Sequence, residues 1–120
     1  MDPDRVRSEL HALEPIFHHS PPGSDRAEFE SFIADDYWEV GASGAVYSRE
    51  FVLDTVVERH RLPASVDSSL EIQEFVVRHL DGETWLATYE LHQGERVTRR
   101  STIWQLSDRW RAIYHQGTIS

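Results

Sequence analysis

The stretch that decides the fold runs from Leu70 to Thr118, LEIQEFVVRHLDGETWLATYELHQGERVTRRSTIWQLSDRWRAIYHQGT. Apolar and polar residues alternate along it with a period of two, the pattern of strands that bury one face. Asp81-Gly82 is a two-residue hairpin signal, and Gln93-Gly94 and Ser107-Asp108 are weaker turns of the same kind. The pattern predicts four antiparallel strands near 70–80, 83–92, 95–106 and 110–119, joined as a meander.

Two residues in each turn would set the register, and opposed residues share a face. One face then gathers Glu74, Val76, Trp85, Tyr89, Arg100, Trp104, Ile113 and His115. The other carries Phe75, Val77, Ile103, Trp110, Tyr114 and Gln116. Both are too apolar to meet water, so helices should cover one and a second copy of the chain the other. The first is expected to face a ligand, because it combines Glu74, Arg100 and His115 with three aromatic rings. A single bulge or three-residue turn would exchange the faces beyond it.

Upstream, helical spacing takes over. Asp2 can cap and Pro3 can open a first helix carrying Val6, Leu10, Leu13 and Phe17, ending near Pro15. Pro21-Pro22-Gly23 forces a loop. A short second helix follows from Asp25, with Glu28 at capping-box spacing and a stripe of Phe29, Phe32 and Ile33. DYWEVGASGAVY (36–47) predicts two small strands around a glycine turn. Ser48 then caps a third helix, with Phe51, Val52, Val56 and Val57 inside and Pro63 at its exit.

The 120 residues fit one domain, 1–120, of class α+β. The chain has no Cys, which excludes disulfides and thiolate metal sites, and no Lys, which excludes a lysine Schiff base or a P-loop lysine. Its formal charge of −9 argues against nucleic acid. Residues 1–62 hold thirteen acidic side chains against six Arg, and 63–120 eight against six, so a counter-charge for an anion would come from the second half. No apolar run is long enough for a membrane helix or a signal core, and the expected location is the cytoplasm. Seven His fall in no metal-ligand spacing, His18-His19 being adjacent in the proline-bounded loop, so neither metal nor cofactor is expected.

The order of elements, the segments DDYWEVGASGAVYSREFVLD (35–54) and TRRSTIWQLSDRWRAIYHQGT (98–118), and Tyr89 in ATYEL resemble the DUF4440 domains of the NTF2-like superfamily, which includes SnoaL-type cyclases and ketosteroid isomerases. The resemblance implies a cone: three N-terminal helices packed on a curved antiparallel β-sheet, a pocket inside, and a homodimer formed through the sheet. The chain has no residue-by-residue match to the Asp base and Tyr/Asp oxyanion hole of ketosteroid isomerases. Fold alone does not set chemistry here.

The candidate catalytic residues are Glu39 and His115. A carboxylate in an apolar cone could abstract a proton beside a carbonyl, although the first reading of Glu39 is that it caps the glycine turn or pairs with Arg49 or Arg100. His115 could act as acid or base, or simply bond a carbonyl. Arg100 could clamp a ligand carboxylate or belong to a cross-strand ladder. Trp38, Tyr47, Tyr89 and Trp104 are core or pocket wall. Gln116 follows His115 and should point the other way in a regular strand, while HQGT holds both. The expected function is binding, with possible isomerase, dehydratase or cyclase chemistry, of a small apolar carbonyl compound; the alternative is a non-catalytic dimerisation or accessory module. Inward-turned Trp38, Trp85 and Trp104 would favour the module, and an open cavity the binder.

Overall fold

The computed structural model describes residues 2–17, 26–61 and 70–119, with side chains described outside 56–61. The loop expected at Pro21-Pro22-Gly23, His18-His19, the cap at Asp25, the Val56 and Val57 side chains and the exit at Pro63 lie outside the described set.

Helix α1 (Pro3–Leu13) starts as its sequence dictates: Asp2 accepts the Asp4 amide at 3.0 Å and Pro3 takes the first turn. Pro15 cannot donate to the α-helical ladder, and the chain tightens into a 3₁₀ turn over Glu14–Phe17. Helix α2 is only five residues (Arg26–Glu30). Of its expected stripe, Phe29 is buried, while Ile33 already opens strand β1 (Ile33–Val40). A turn with Gly44 at φ 91° leads into β2 (Val46–Ser48). Helix α3 (Arg49–Arg61) begins where the Ser48 hydroxyl accepts the Phe51 amide. Arg26 ties α2 to α3, donating to Asp54 at 2.6 Å and Glu50 at 2.9 Å.

The meander follows as β3 (Leu70–Asp81), β4 (Thr84–Gln93), β5 (Arg96–Leu106) and β6 (Trp110–Ile119). The sheet has six strands in the order β2-β1-β6-β5-β4-β3, with β1 parallel to β6. Two expectations are corrected here. The sheet is mixed rather than wholly antiparallel, and the helices do not form the N-terminal trio that the resemblance implies, since α3 follows β1 and β2 as the reading of 36–48 has it.

Irregularities in β3 and around the β5–β6 turn also re-sort the faces. Strand β3 inserts an extra residue between Gln73 and Val76, with Glu74 at φ 56°. A register shift at His79/Asp81, beside the hairpin, turns Phe75 and Val77 inward and leaves Val76 exposed, and the bulge at Glu74 returns Ile72 to its expected face. The β5–β6 turn has three residues, Ser107 to Arg109, which brings Trp110 and Ala112 inside. A second bulge at Ile103/Trp104 makes Ile113 the extra residue and restores the expected face for His115. The inner face thus joins Trp85, Ala87, Tyr89, Thr102, Trp104 and His115, covered by Val6, Leu10 and Phe17. No helix among the described residues is long and apolar enough to cross a membrane.

A side chain at φ 56° is strained by about 1 kcal/mol relative to glycine. Because Glu74 is exposed, Glu74→Gly should raise the unfolding free energy by about that amount in denaturant titration, while Glu74→Val should lower it. A loss on Glu74→Gly would show that the strand does not bulge there.

Candidate functional site

Glu14 occupies a core position on the stripe of α1, four residues after Leu10 and three before Phe17, and is fully buried. Three donors converge on its carboxyl group. Tyr89 Oη (2.7 Å) and Thr102 Oγ1 (2.8 Å) donate to Oε1, and Trp104 Nε1 (2.6 Å) donates to Oε2. With its hydrogen given to Glu14, Thr102 accepts from His115 Nδ1 at 2.7 Å, which assigns that nitrogen its proton. Glu14 and His115 lie 4.0 Å apart across this bridge.

Burial pushes the Glu14 carboxyl up to about 7, against the downward pull of Trp104, Tyr89 and Thr102. Burial and the nearby Glu14 likewise hold the Tyr89 hydroxyl well above the usual tyrosine range. Phe17 closes the cluster, its ring stacked on His115 at 4.4 Å and tilted against Trp104 at 5.9 Å. Glu14, Tyr89, Thr102, Trp104 and His115 form a sealed polar strut that pins the first helical segment to β4, β5 and β6.

The cavity lies on the other side of Phe17. It measures about 180 Å³, is partly open, and has Phe17, Phe29, Tyr47 and Phe51 as aromatic walls. Val52 and Thr55 of α3 also line it, and Glu39 is its ionisable wall among the described residues. Tyr37 Oη donates to Glu39 Oε1 at 2.8 Å, fixing one carboxylate oxygen and leaving further lone pairs on the group. Burial and Glu39 hold the Tyr37 hydroxyl well above its ordinary range. Gly41 makes room for Tyr47: a Cβ there would lie 2.7 Å from the Tyr47 ring, which stacks on Phe51 at 4.8 Å.

Of the residues expected to form a site, Glu39 and Tyr47 line the cavity. Glu39 and His115 are register neighbours on β1 and β6, but His115 is sealed behind Phe17. Tyr89 and Trp104 are buried as donors to Glu14. Arg100 is half-buried on the inner side, donates to Thr98 Oγ1 at 3.0 Å and lays the flexible end of its side chain over Gly117. Trp38 and Gln116 lie on the outer face, away from this cavity, Trp38 against Tyr114 (4.6 Å) and Gln116 accepting from the Tyr114 hydroxyl (3.0 Å), and Gln116 lines a separate, more open pocket with Tyr89 and Arg100. Alternation along β1 turns Trp38 away as it turns Tyr37 and Glu39 in. Glu14 was missed because only apolar residues were counted on the α1 stripe; its place on that stripe was the available signal. Among the described residues no group of three His, Asp or Glu side chains could hold a metal.

No protein-family profile and no curated protein matches the chain. Solved structures do. An NTF2-like protein from Cytophaga hutchinsonii superposes with a TM-score of 0.73 at 16% identity, over 100% of both chains. A protein from Exiguobacterium sibiricum, provisionally named a Ca/calmodulin-dependent kinase II association domain, gives 0.72 at 18% identity over 100% of this chain and 97% of that one. A protein from Parabacteroides distasonis, provisionally named a ketosteroid isomerase, gives 0.66 at 14% over 100% and 89%. With its six-stranded curved sheet closing over α1, the chain has the NTF2-like fold.

Proposed function

We propose that the chain is a small-molecule-binding domain whose ligand enters the cavity between α3, β1 and Phe17 and meets Glu39. The observation that carries this reading is a partly open cavity of about 180 Å³ with aromatic walls and a carboxylate among them. An apolar cavity of roughly 150 Å³ is enough for a benzene-sized guest, whereas drug-sized ligands need about 300 Å³ or more. The ligand is therefore compact, and a steroid does not fit. The resemblance of 35–54 and 98–118 supports placement in the DUF4440 branch.

Acid–base chemistry on a carbonyl compound would fall to Glu39, because Glu14 and His115 are sealed. Thr55 would be a poor oxyanion donor, since its hydroxyl is given to the Phe51 carbonyl at 2.9 Å. Among the described walls that leaves Tyr47 as a side-chain donor, so the geometry favours binding over catalysis. The neighbour named as an isomerase keeps the catalytic reading in view but does not transfer a mechanism.

Thr55→Trp at the cavity wall tests the reading. A panel of compact ketones, carboxylates and ammonium ions should contain compounds that raise the melting temperature of the wild type and not of the variant. Shifts that survive in the variant, or none at all, would remove the cavity as a ligand site.

A second reading, an assembly module, has its own observation. Trp85 and Trp104 turn inward and fill the deep cone, while Trp38 turns outward. The outer face carries an apolar row, Trp38–Tyr114–Ile103–Leu86, across four strands. We propose that a second copy covers it, forming a homodimer through the sheet. A dimer is compatible with either reading.

A further inference from the structure

We infer that the cavity takes a compact organic cation of the alkylammonium class, with Glu39 as counter-ion and aromatic rings around the onium group. The inference rests on the reading of the cavity as a ligand site and goes further by naming the ligand's charge. Four aromatic rings line the space, two of them the stacked Tyr47–Phe51 pair and two the edge-to-face Phe17–Phe29 pair at 6.1 Å. Aromatic faces carry negative potential and attract an onium ion, most strongly where water is excluded.

The alternatives fit less well. An anion would meet the Glu39 carboxylate, with no Arg or His among the described walls to offset it. A neutral carbonyl compound would have the Tyr47 hydroxyl as its side-chain donor among those walls. A carboxylate has about four lone-pair sites, so an ammonium can share Glu39 with Tyr37 and with its other neighbours. The formal charge of −9 adds a long-range field that draws cations in. Size agrees as well, because about 180 Å³ suits a trimethylammonium head and excludes bulky amines.

Isothermal titration of the full chain at matched chloride concentration, with choline, tetramethylammonium and the uncharged isostere 3,3-dimethyl-1-butanol, separates the possibilities. Both cations should bind at least ~10-fold more tightly than the alcohol. Glu39→Gln keeps an oxygen for the Tyr37 hydroxyl, should fold normally, and should abolish the preference. Phe51→Leu, at a half-exposed position, should weaken the cations by several-fold and the alcohol little. Alcohol binding as tight as the cations overturns the cation inference and leaves the ligand site standing. A cation preference that survives Glu39→Gln overturns the role of Glu39. No binding by any probe at millimolar concentration removes the inference; the broader cavity reading then stands or falls on the Thr55→Trp panel.

Discussion

Glu14→Ala should lower the unfolding free energy by about 4 kcal/mol, a fall in melting temperature of roughly 10–15 °C for a chain of this size. The truncation strands three buried donors at once, the Tyr89 and Thr102 hydroxyls and the Trp104 indole, each of which costs about 1–3 kcal/mol when left without an acceptor. Removing a desolvated carboxyl group returns part of that cost, so the sum falls short of three full penalties. Denaturant titration with unchanged slope is the measurement. A loss below about 1 kcal/mol would mean the donors find other acceptors and the strut does not hold the helix to the sheet.

The same carboxyl group gives stability a pH dependence of unusual sign. Its folded-state value of about 7 lies above its ordinary 4.5, so the folded state holds the proton more tightly than the unfolded chain. Its contribution is fully present below about 4.5, declines as pH rises between 4.5 and 7, and amounts to about 3 kcal/mol across that window. Glu9 and Asp108 shift the opposite way, Glu9 through Trp110 and Asp108 through Ser107, so acid below the usual carboxylate range removes their contributions. Glu14→Gln isolates the effect. Relative to the wild type, the variant should be most destabilised below about pH 4.5 and least near pH 8, and parallel pH profiles would refute the assignment.

The sequence contained more of the strands than of their pairing. Alternation from Leu70 onward reports which residues can share a face, because the period of two is local. It cannot report an inserted residue: nothing in QEFV marks Glu74 as the bulge, and Glu is a poor candidate for positive φ. Between Trp104 and His115 a three-residue turn and a bulge cancel, which is why His115 reached the expected face and Ile113 did not. The parallel pairing of β1 with β6 joins residues far apart in sequence and left no local trace. Glu39 was legible from its neighbours Tyr37 and Gly41, whereas Glu14 was hidden by the rule that stripes are apolar. A charged residue on a core stripe signals a buried cluster of partners, since burial requires donors to meet it.

Ile103→Arg should convert a dimer into a monomer. Ile103 sits mid-row on the outer face, paired to Tyr114 on one side and Leu86 on the other, with Trp38 46% exposed at the end of the row. Polar residues flank the row at Gln116, Ser101 and Thr88, the arrangement of an interface with an apolar centre and a wet rim. A stable interface needs about 800 Å² from each partner, which one face of a six-stranded sheet can supply. Two-fold symmetry would place the two introduced guanidinium groups near each other in that centre, adding like-charge repulsion to desolvation. The dissociation constant should rise by about 10³-fold or more, equivalent to roughly 4 kcal/mol. Because Ile103 points away from the core, the variant should keep its unfolding transition apart from the loss of dimer linkage. Sedimentation at micromolar concentration decides the matter: a wild-type monomer would mean that water tolerates the row, and an Ile103→Arg dimer would place the partner on another surface.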